Sequence, residues 1–309
     1  MNGAVTDAER VAQQLRLDLL AWRASQALVA AGVPHALLKG PTTAAWLYDP
    51  PRAYRDVDLL VPQHRRADAA AVLRARGIVR PEGARLGEEG AHSQVLISPS
   101  GLELDLHVTL PMLMPGKGAE TVWAVLAAHI VTGLLDGIGD VPVLDVPARC
   151  VVLALHAVAS GHESEQPRED LERARAQVGA AVWVEAELIA RQLDAFGMFE
   201  AGLSLVEPGH RVSGLPVEAY LKSHDAPSGA VALQRLAVAT PRDRPGLLLR
   251  ELIPSVDAMR RAYPGLADSR LGLMSAHARR WRRIARLMPD AFRHWRTARR
   301  QAITTPPDA

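Results

Sequence analysis

The chain has 309 residues, which is enough for one large domain or two ordinary ones without disulfides or a structural metal. Hydrophobic residues make up 48% of it and charged residues 23%, a balance that excludes a disordered or fibrous protein. The net charge is only +2, yet just three of the 36 basic residues are lysines, Lys39, Lys117 and Lys222. A coding bias towards arginine explains this scarcity, so a lysine gains interest only from its position.

The single cysteine, Cys150, stands in an apolar run, which is typical of a buried thiol and excludes a disulfide within the chain. The first ten residues carry acids and lack the apolar core of a signal peptide. No apolar stretch approaches the roughly 20 residues of a membrane helix. We therefore expect a cytoplasmic protein with no membrane partner.

Helical and extended patterns alternate over the first half of the chain. Thr6 and Glu9 form a capping-box pattern, and apolar residues then recur at helical spacing until Gly32. The next predicted elements are a strand 35–38, a turn 39–41, a helix 42–48 after Pro41, a strand 55–61, a helix 65–76 closed by Gly77, a loop 83–90 and a hairpin of strands 92–97 and 102–110.

The second half of the chain has a different pattern. Segments 128–135 and 141–144 predict one more hairpin, and the chain is mostly helical from Pro147. We therefore expect an α+β protein in which a mixed-sheet domain is followed by a mostly α-helical domain. The predicted divisions are a first domain 1–145, a helical domain 146–300 with a connector at 207–228, and a tail 301–309.

Two acids stand two residues apart in the predicted strand 55–61. Side chains alternate along a strand, so Asp56 and Asp58 project from one face about 7 Å apart, and Val57 and Leu59 project from the other. Like charges this close are costly without a cation, and carboxylate oxygens suit Mg²⁺, which takes one or two carboxylates together with substrate phosphates. An exposed edge strand with solvated acids is the competing interpretation.

A later predicted strand repeats this alternation, with Glu103, Asp105 and His107 on one face and leucines on the other. If the two strands are neighbours, Asp105 joins Asp56 and Asp58 in a three-carboxylate site for two metal ions about 4 Å apart. An amphipathic strand with one solvent-exposed face is the alternative. His107 could reach metal or phosphate, but a structural hydrogen bond to a nearby carboxylate is the simpler expectation.

The predicted turn 39–41 has the composition of a phosphate site. Gly40 permits a close approach of the backbone, and the helix start after it presents free N–H groups. Lys39 and the hydroxyl of Thr42 stand beside it. A turn glycine next to a solvated lysine is the alternative.

Together these residues resemble the DNA polymerase beta-like nucleotidyltransferase superfamily and, more narrowly, a largely uncharacterised bacterial nucleotidyltransferase family. The resemblance covers about residues 28–175. It rests on Leu37-Leu38-Lys39-Gly40, Tyr48, Arg52, Asp56-Val-Asp58-Leu-Leu-Val61, Leu104-Asp105-Leu106-His107, Leu155-His156-Ala157 and Asp170-Leu171. One departure is Pro41, which stands where the superfamily usually has serine. Proline has no N–H, so Thr42 or Lys39 must supply that phosphate contact.

The resemblance implies a polymerase beta-like fold and a Mg²⁺-dependent transfer of a nucleoside monophosphate, most simply AMP from ATP. The residues that it assigns to catalysis and to two metal ions are Asp56, Asp58 and Asp105, and those that it assigns to the triphosphate are Lys39, Gly40, Thr42 and Arg52. Asp170 and His107 are candidates for orienting the acceptor or acting as a base. For Asp170, a plain surface acid is an equal alternative.

The remaining basic and imidazole side chains have simpler explanations. His156 lies among apolar residues of a predicted helix, which favours a core histidine over a ligand. Lys117 and Lys222 stand in predicted connectors with nothing around them. Among the lysines, only Lys39 is therefore expected to matter for nucleotide use.

Segment 276–300 carries nine arginines and one acid, Asp290. Its apolar residues recur at helical spacing on both sides of Pro289, which predicts two short amphipathic helices broken at that residue. Binding of RNA or another polyanion by these arginines is one interpretation. Aromatic residues at this spacing pack a core more often than they stack bases, so a solvated arginine face is expected.

The sequence therefore predicts an enzyme that transfers a nucleotide to a hydroxyl of a small molecule, peptide or protein and releases pyrophosphate. The alternative is a non-catalytic or toxin/antitoxin-type interaction protein of the same fold that binds a nucleotide or RNA.

Overall fold

The computed structural model describes residues 7–79, 93–110, 113, 118–135, 137–161, 164–207, 209, 216–224, 226–254, 256, 259, 263 and 269–304. The strands are β1 (Ala36–Leu37), β2 (Asp56–Leu60), β3 (Ser93–Ile97), β4 (Glu103–His107), β5 (Ile130–Leu135) and β6 (Gly139–Leu144). The helices are α1 (Asp7–Ala30), α2 (Pro41–Leu47), α3 (Arg66–Arg74), α4 (Ala119–Ala127), α5 (Val146–Ser160), α6 (Gln166–Gln177), α7 (Ala180–Gln192), α8 (Phe196–Ser204), α9 (Val217–Ser223), α10 (Ser228–Val238), α11 (Arg244–Leu252) and α12 (Arg270–Thr304), with a 3₁₀ helix at Gln63–Arg65. Thr6, the predicted loop 83–90, Lys117 and the tail residues 305–309 lie outside the described residues.

The strands within these ranges form one six-stranded sheet in the order β3-β4-β2-β1-β6-β5. Strand β2 pairs in parallel with β4, and β1 pairs in parallel with β6, whereas the other neighbours are antiparallel. Both predicted hairpins form, β3–β4 and β5–β6. The sheet is therefore mixed, and the predicted α+β class is confirmed.

One face of the sheet is closed by α1 and α3. The alternating side chains of Val57, Leu59, Leu104 and Leu106 are fully buried there, in the same hydrophobic cluster as Leu17 and other residues of those helices. Burial of a leucine side chain contributes about 2 kcal/mol, so these residues fix which way β2 and β4 face. The acids at the alternate positions must therefore point to the opposite face.

The opposite face packs against α4 and α5. Leu60 and Leu38 lie there in one cluster with the buried face of α5, and this cluster continues into α6, α7 and α8. Asp145 caps the start of α5 by accepting a hydrogen bond from the N–H of Ala148, at 3.0 Å. Hydrophobic contacts thus join residues on both sides of position 145, and the division of the chain there stays a prediction.

Cys150 is buried in α5, as predicted for a packed thiol. Burial raises the pKa of this thiol to about 12, and Arg175 and Arg149 oppose the rise. The side chain is therefore a protonated, inert part of the core at neutral pH.

The predicted connector 207–228 is partly helical, because it contains α9. This helix packs beside α5, and its Lys222 Nζ donates a hydrogen bond of 2.7 Å to the carbonyl of Ala159 near the end of α5. The expectation that Lys222 has no structural surroundings is therefore wrong. Its ammonium satisfies a carbonyl in the last turn of α5, where helical carbonyls lack a donor.

The prediction of two helices broken at Pro289 is also wrong, because α12 runs through this proline without a break. Pro289 and Ala285, whose carbonyl loses its helical donor, are both exposed, so water can satisfy that carbonyl. On the other side of the helix, Ala291 and Ala298 are buried against α9 and α10. Ala276, before Pro289, is buried too, so each half of α12 is packed against the protein and the helix stays continuous.

No described helix combines the length and the hydropathy that a membrane span requires.

Candidate functional site

The pairing of β2 with β4 brings the predicted carboxylates together. The two strands are parallel and in register, so that Asp58 lies opposite Asp105 and Asp56 lies opposite Glu103. Asp58, Asp105 and His107 each offer a ligand atom, and these atoms lie within 4.8 Å of one another. Asp56 is on the same face, one alternate position before Asp58.

Asp58 is the centre of this group and is 1% exposed. Its Oδ2 lies 3.3 Å from Lys39 Nζ, and its Oδ1 lies 2.8 Å from Nε2 of His107. Burial alone would raise the pKa of Asp58, but Lys39 and His107 outweigh it and hold that pKa below its ordinary value. The expected structural bond between His107 and a neighbouring carboxylate is therefore present, with Asp58 as the partner.

The closeness of the three carboxylates affects the pKa values of Asp56 and Asp105. Burial, and next the charge of Asp58, raise the pKa values of Asp56 and of Asp105. Burial and repulsion both disfavour the ionised form, and a cation held between the carboxylates would reverse this. The donor set consists of carboxylates with one imidazole beside them, and the buried Oδ2 of Asp58 has the ion pair with Lys39 but no shorter hydrogen bond among the described residues. These residues fit a divalent cation that prefers oxygen ligands.

The turn after β1 places Lys39 over this group. Leu38 N–H donates to the carbonyl of Asp58, at 3.0 Å, which continues the antiparallel pairing of β1 and β2 and brings Lys39 next to Asp58. Gly40 has φ of 76°, and a Cβ there would lie 3.0 Å from the carbonyl oxygen of Asp56. Any other residue would be strained and would press against β2. The close backbone approach predicted for Gly40 is therefore made to the strand itself.

Thr42 is the second residue of α2 and follows Pro41 directly. It is 7% exposed, and its Oγ1 is buried with no hydrogen-bond partner among the described residues. Pro41 occupies the first turn of α2, where its missing N–H costs nothing. A buried hydroxyl without a partner is unfavourable by about 1–3 kcal/mol, and a bound acceptor oxygen would offset that cost.

His156 reaches the site from α5, with its Nε2 3.4 Å from Lys39 Nζ. Burial, and next the charge of Lys39, lower the pKa of His156 to about 3. The neutral ring therefore accepts a hydrogen bond through Nε2, since an ammonium group can only donate. Burial disfavours the charge on Lys39, but Asp58, Asp56 and Asp105 outweigh it and raise the pKa of Lys39. The ammonium is thus held between a neutral imidazole and a carboxylate.

A second polar cluster joins the chain before β2 to α6. Arg52 donates to both oxygens of Asp170, from Nε at 2.8 Å and from Nη2 at 2.5 Å. The hydroxyl of Tyr48 donates to Asp170 Oδ1 at 2.6 Å, and Gln166 donates to the same oxygen at 3.2 Å. Burial, and next the bond to Asp170, raise the pKa of Tyr48 to about 12.

Asp170 is 2% exposed, so its interpretation as a surface acid is wrong. The bidentate pair also commits the guanidinium of Arg52 to a protein carboxylate, whereas the sequence predicts that it binds phosphate. Arg52 remains close enough to His156 to affect its pKa, which places the two clusters side by side. The sequence motif contained Tyr48, Arg52, His156 and Asp170 but neither Gln166 nor the contacts between these residues.

The sequence profile of a family described as uncharacterised nucleotidyltransferases matches residues 7–207. No curated protein matches the chain in sequence. Among solved structures, the solution structure of the antibiotic-resistance factor ANT(2'')-Ia has 17% identity and a TM-score of 0.40, over 59% of this chain and 95% of that one. The crystal structure of ANT(2'')-Ia in complex with adenylyl-2''-tobramycin has 18% identity and a TM-score of 0.39, over 57% and 97%. An antigenic nucleotidyltransferase-like protein from Paracoccidioides brasiliensis has 15% identity and a TM-score of 0.35, over 61% and 92%.

Proposed function

Because the chain belongs to the uncharacterised nucleotidyltransferase family, we propose that it moves a nucleoside monophosphate, AMP from ATP, onto an acceptor hydroxyl. In this reaction the acceptor oxygen forms a bond to the α-phosphorus, the bond from that phosphorus to the β-phosphate oxygen breaks, and the acceptor loses a proton. Pyrophosphate is the second product. The acceptor class is a small molecule, a peptide or a protein.

The observation that carries this proposal is the gathering of Asp56, Asp58 and Asp105 on one face of β2 and β4, beside Lys39. Three buried or half-buried carboxylates repel one another, and burial together with that repulsion raises the pKa values of Asp56 and Asp105. We assign these three residues to Mg²⁺. A divalent cation held there supplies positive charge to the phosphates and lowers the pKa of the acceptor hydroxyl.

The cationic and hydroxyl groups of the turn are assigned to the triphosphate. Lys39 offsets charge that grows on the leaving pyrophosphate, so it stabilises the transition state more than the ground state. Thr42 offers its buried hydroxyl as a donor to a phosphate oxygen. Gly40 lets the turn lie against β2, so that Lys39 stays next to the carboxylates.

The helical residues are assigned to support. His156 orients the ammonium of Lys39 by accepting its hydrogen bond. Asp170 holds Arg52 at the border of the site, and both of its oxygens accept hydrogen bonds from that guanidinium. We therefore propose positioning for Asp170 in place of the acceptor or base role predicted for it.

Transfer is tested by incubating the full chain with each nucleoside triphosphate, Mg²⁺ and a panel of hydroxyl-bearing acceptors, followed by mass spectrometry. We expect one acceptor to gain the mass of one nucleotide, with release of pyrophosphate. The variant Asp56→Asn/Asp58→Asn should keep the circular dichroism spectrum and lose the product. Undiminished transfer by this variant would contradict the assignment. Nucleotide binding that needs neither metal nor these acids would favour the non-catalytic alternative.

A further inference from the structure

The long helix α12 presents a line of arginines to solvent. We name six of them the arginine stripe: Arg279, Arg282, Arg286, Arg293, Arg296 and Arg300. All six are exposed. Their spacings are three, four or seven residues, so at 3.6 residues per turn they fall within about 100° of the helix circumference and extend for about 31 Å along it. This alignment exists only because α12 continues through Pro289.

Helix α12 itself supplies little negative charge beside the stripe. Asp290 is the single acid in α12, and it pairs with Arg293. Arg279 donates to the hydroxyl of Ser275, which leaves its charge in place. A helix face of this charge attracts polyanions, whose condensed counterions are released on binding.

The opposite side of α12 explains why the stripe faces outward. Ala291 and Ala298 are buried against α9 and α10, and Trp295 Nε1 donates to Gln234 at 3.0 Å. A membrane-surface helix buries its apolar face in lipid with the basic side chains along the border. Here Ala291 and Ala298 are packed on protein, whereas Leu271, Met274 and Met288 of the same helix are exposed. We take a hydrated polyanion rather than a lipid surface as the occupant because the arginines form one continuous line along the helix.

Two aromatic rings border the stripe on one side. Trp281 is 47% exposed and Phe292 is 44% exposed, and Arg296 lies 5.8 Å from the Phe292 ring centroid. Trp281 is held in place because its Nε1 donates to the carbonyl of Leu252, at 2.7 Å. Exposed rings beside a line of cations suit single-stranded nucleic acid, because it offers one row of phosphates and unpaired bases that can stack.

We propose that the arginine stripe is a docking surface for single-stranded nucleic acid, with the arginines on the phosphate backbone and the two rings on bases. A duplex would present its phosphates in two rows and its bases inside, which a single convex stripe matches less well. The surface lies on α12, outside the carboxylate site, and the proposal does not depend on nucleotide transfer.

The test measures fluorescence anisotropy of a labelled 20-nucleotide uridine RNA, and of its thymidine DNA counterpart, titrated with the full chain between 50 and 300 mM salt. If about four phosphates are contacted, the logarithm of the affinity should fall against the logarithm of salt with a slope of about −3. The variant Arg282→Gln/Arg286→Gln/Arg296→Gln should weaken binding at least tenfold and reduce that slope by about 2. Equal binding of RNA and DNA supports a backbone contact, and a preference for one shows that the sugar is also read.

Two matched variants separate the stripe from charge in general and from misfolding. Arg23→Gln/Arg74→Gln/Arg76→Gln removes the same charge from exposed positions on α1 and near the end of α3, and should leave binding and slope unchanged. Lysine at the three stripe positions should retain most of the binding, because it keeps the phosphate contacts. The proposal is overturned if the chain binds neither the RNA nor the DNA at 50 mM salt, or if both glutamine variants lose binding equally. It is also overturned if anionic phospholipid vesicles bind the stripe and the two oligonucleotides do not. A stripe variant whose only effect is to dissociate a dimer would overturn it as well.

Discussion

Two parts of the candidate site are built in different ways. Asp56, Asp58 and Asp105 come from neighbouring strands, and the alternation of each strand sets the direction of their side chains. His156 and Asp170 come from helices, and they contact groups 117 and 118 residues away in the chain. The three strand acids lie close to one another. The helical residues instead form hydrogen bonds with cationic side chains elsewhere in the chain, His156 with Lys39 and Asp170 with Arg52. In the proposed function, the strand acids act on the substrate and the helical residues hold the acting groups in place.

The largest effect is expected at Asp58, which belongs to the strand part of the site. Replacement by Asn removes the charge between Lys39 and His107 and should lower the rate of transfer by about 1,000-fold, or about 4 kcal/mol. Initial rates of pyrophosphate release at saturating nucleotide measure this. The variant should unfold in urea as cooperatively as the parent. A loss of tenfold or less would mean that the strand acids do not act on the substrate.

The second test concerns the helical part and measures the free energy of unfolding. Arg52→Ala leaves the carboxylate of Asp170 buried without its bidentate partner and should lower the free energy of unfolding by about 3 kcal/mol. The matched control is Arg168→Ala on α6, whose pair with Glu172 is exposed and should contribute less than about 1 kcal/mol. Urea unfolding followed by circular dichroism compares them. Equal losses would show that the Arg52 pair does not hold the two parts together.

The third test concerns Lys39, which both parts contact. Lys39→Ala should raise the KM for the nucleotide or lower kcat by about 30-fold, because a cation beside the phosphates is lost. Lys222→Ala is the control from the same small set of lysines. It should leave both constants unchanged and lower stability by about 1 kcal/mol through the lost bond to Ala159. Similar kinetic effects of the two variants would remove Lys39 from the nucleotide site.

The smallest expected effect is that of His156. His156→Leu removes the acceptor for Lys39 and should reduce kcat/KM by about fivefold, close to 1 kcal/mol. His156→Gln restores an acceptor oxygen and should recover most of that loss. In a Lys39→Ala background, His156→Leu should have no further effect on kcat/KM. An unchanged fivefold loss in that background would assign His156 a role other than orienting Lys39.

The sequence predicts the strand part well because its signal is local. A period of two residues over 56–60 and 103–107 decides which side chains share a face, and hydrophobic alternate positions fix that face against α1 and α3. Gly40 was equally predictable, since a turn with positive φ beside a strand favours glycine. These features depend on residues close in sequence.

The helical part could not be predicted because its contacts are long-range. Nothing near His156 or Asp170 in the sequence indicates Lys39 or Arg52 as a partner, and an acid in a charged run is normally exposed. The predicted helix break at Pro289 is wrong for a related reason. The local rule that proline ends a helix takes no account of the packing of Ala291 and Ala298 on α9 and α10. In each case the tertiary environment outweighs the local signal.

The proposed role of Asp56, Asp58 and Asp105 is to hold the divalent cation of a nucleotide site. Its most direct test needs no acceptor: Mn²⁺ is titrated into the chain with a nucleotide analogue that has a methylene group between its α- and β-phosphates, and free Mn²⁺ is followed by electron paramagnetic resonance. We expect the parent chain to bind up to two ions in a nucleotide-dependent manner, and a folded Asp58→Asn/Asp105→Asn variant to bind none at the same concentrations. Equal stoichiometry and affinity in the two proteins would contradict the account.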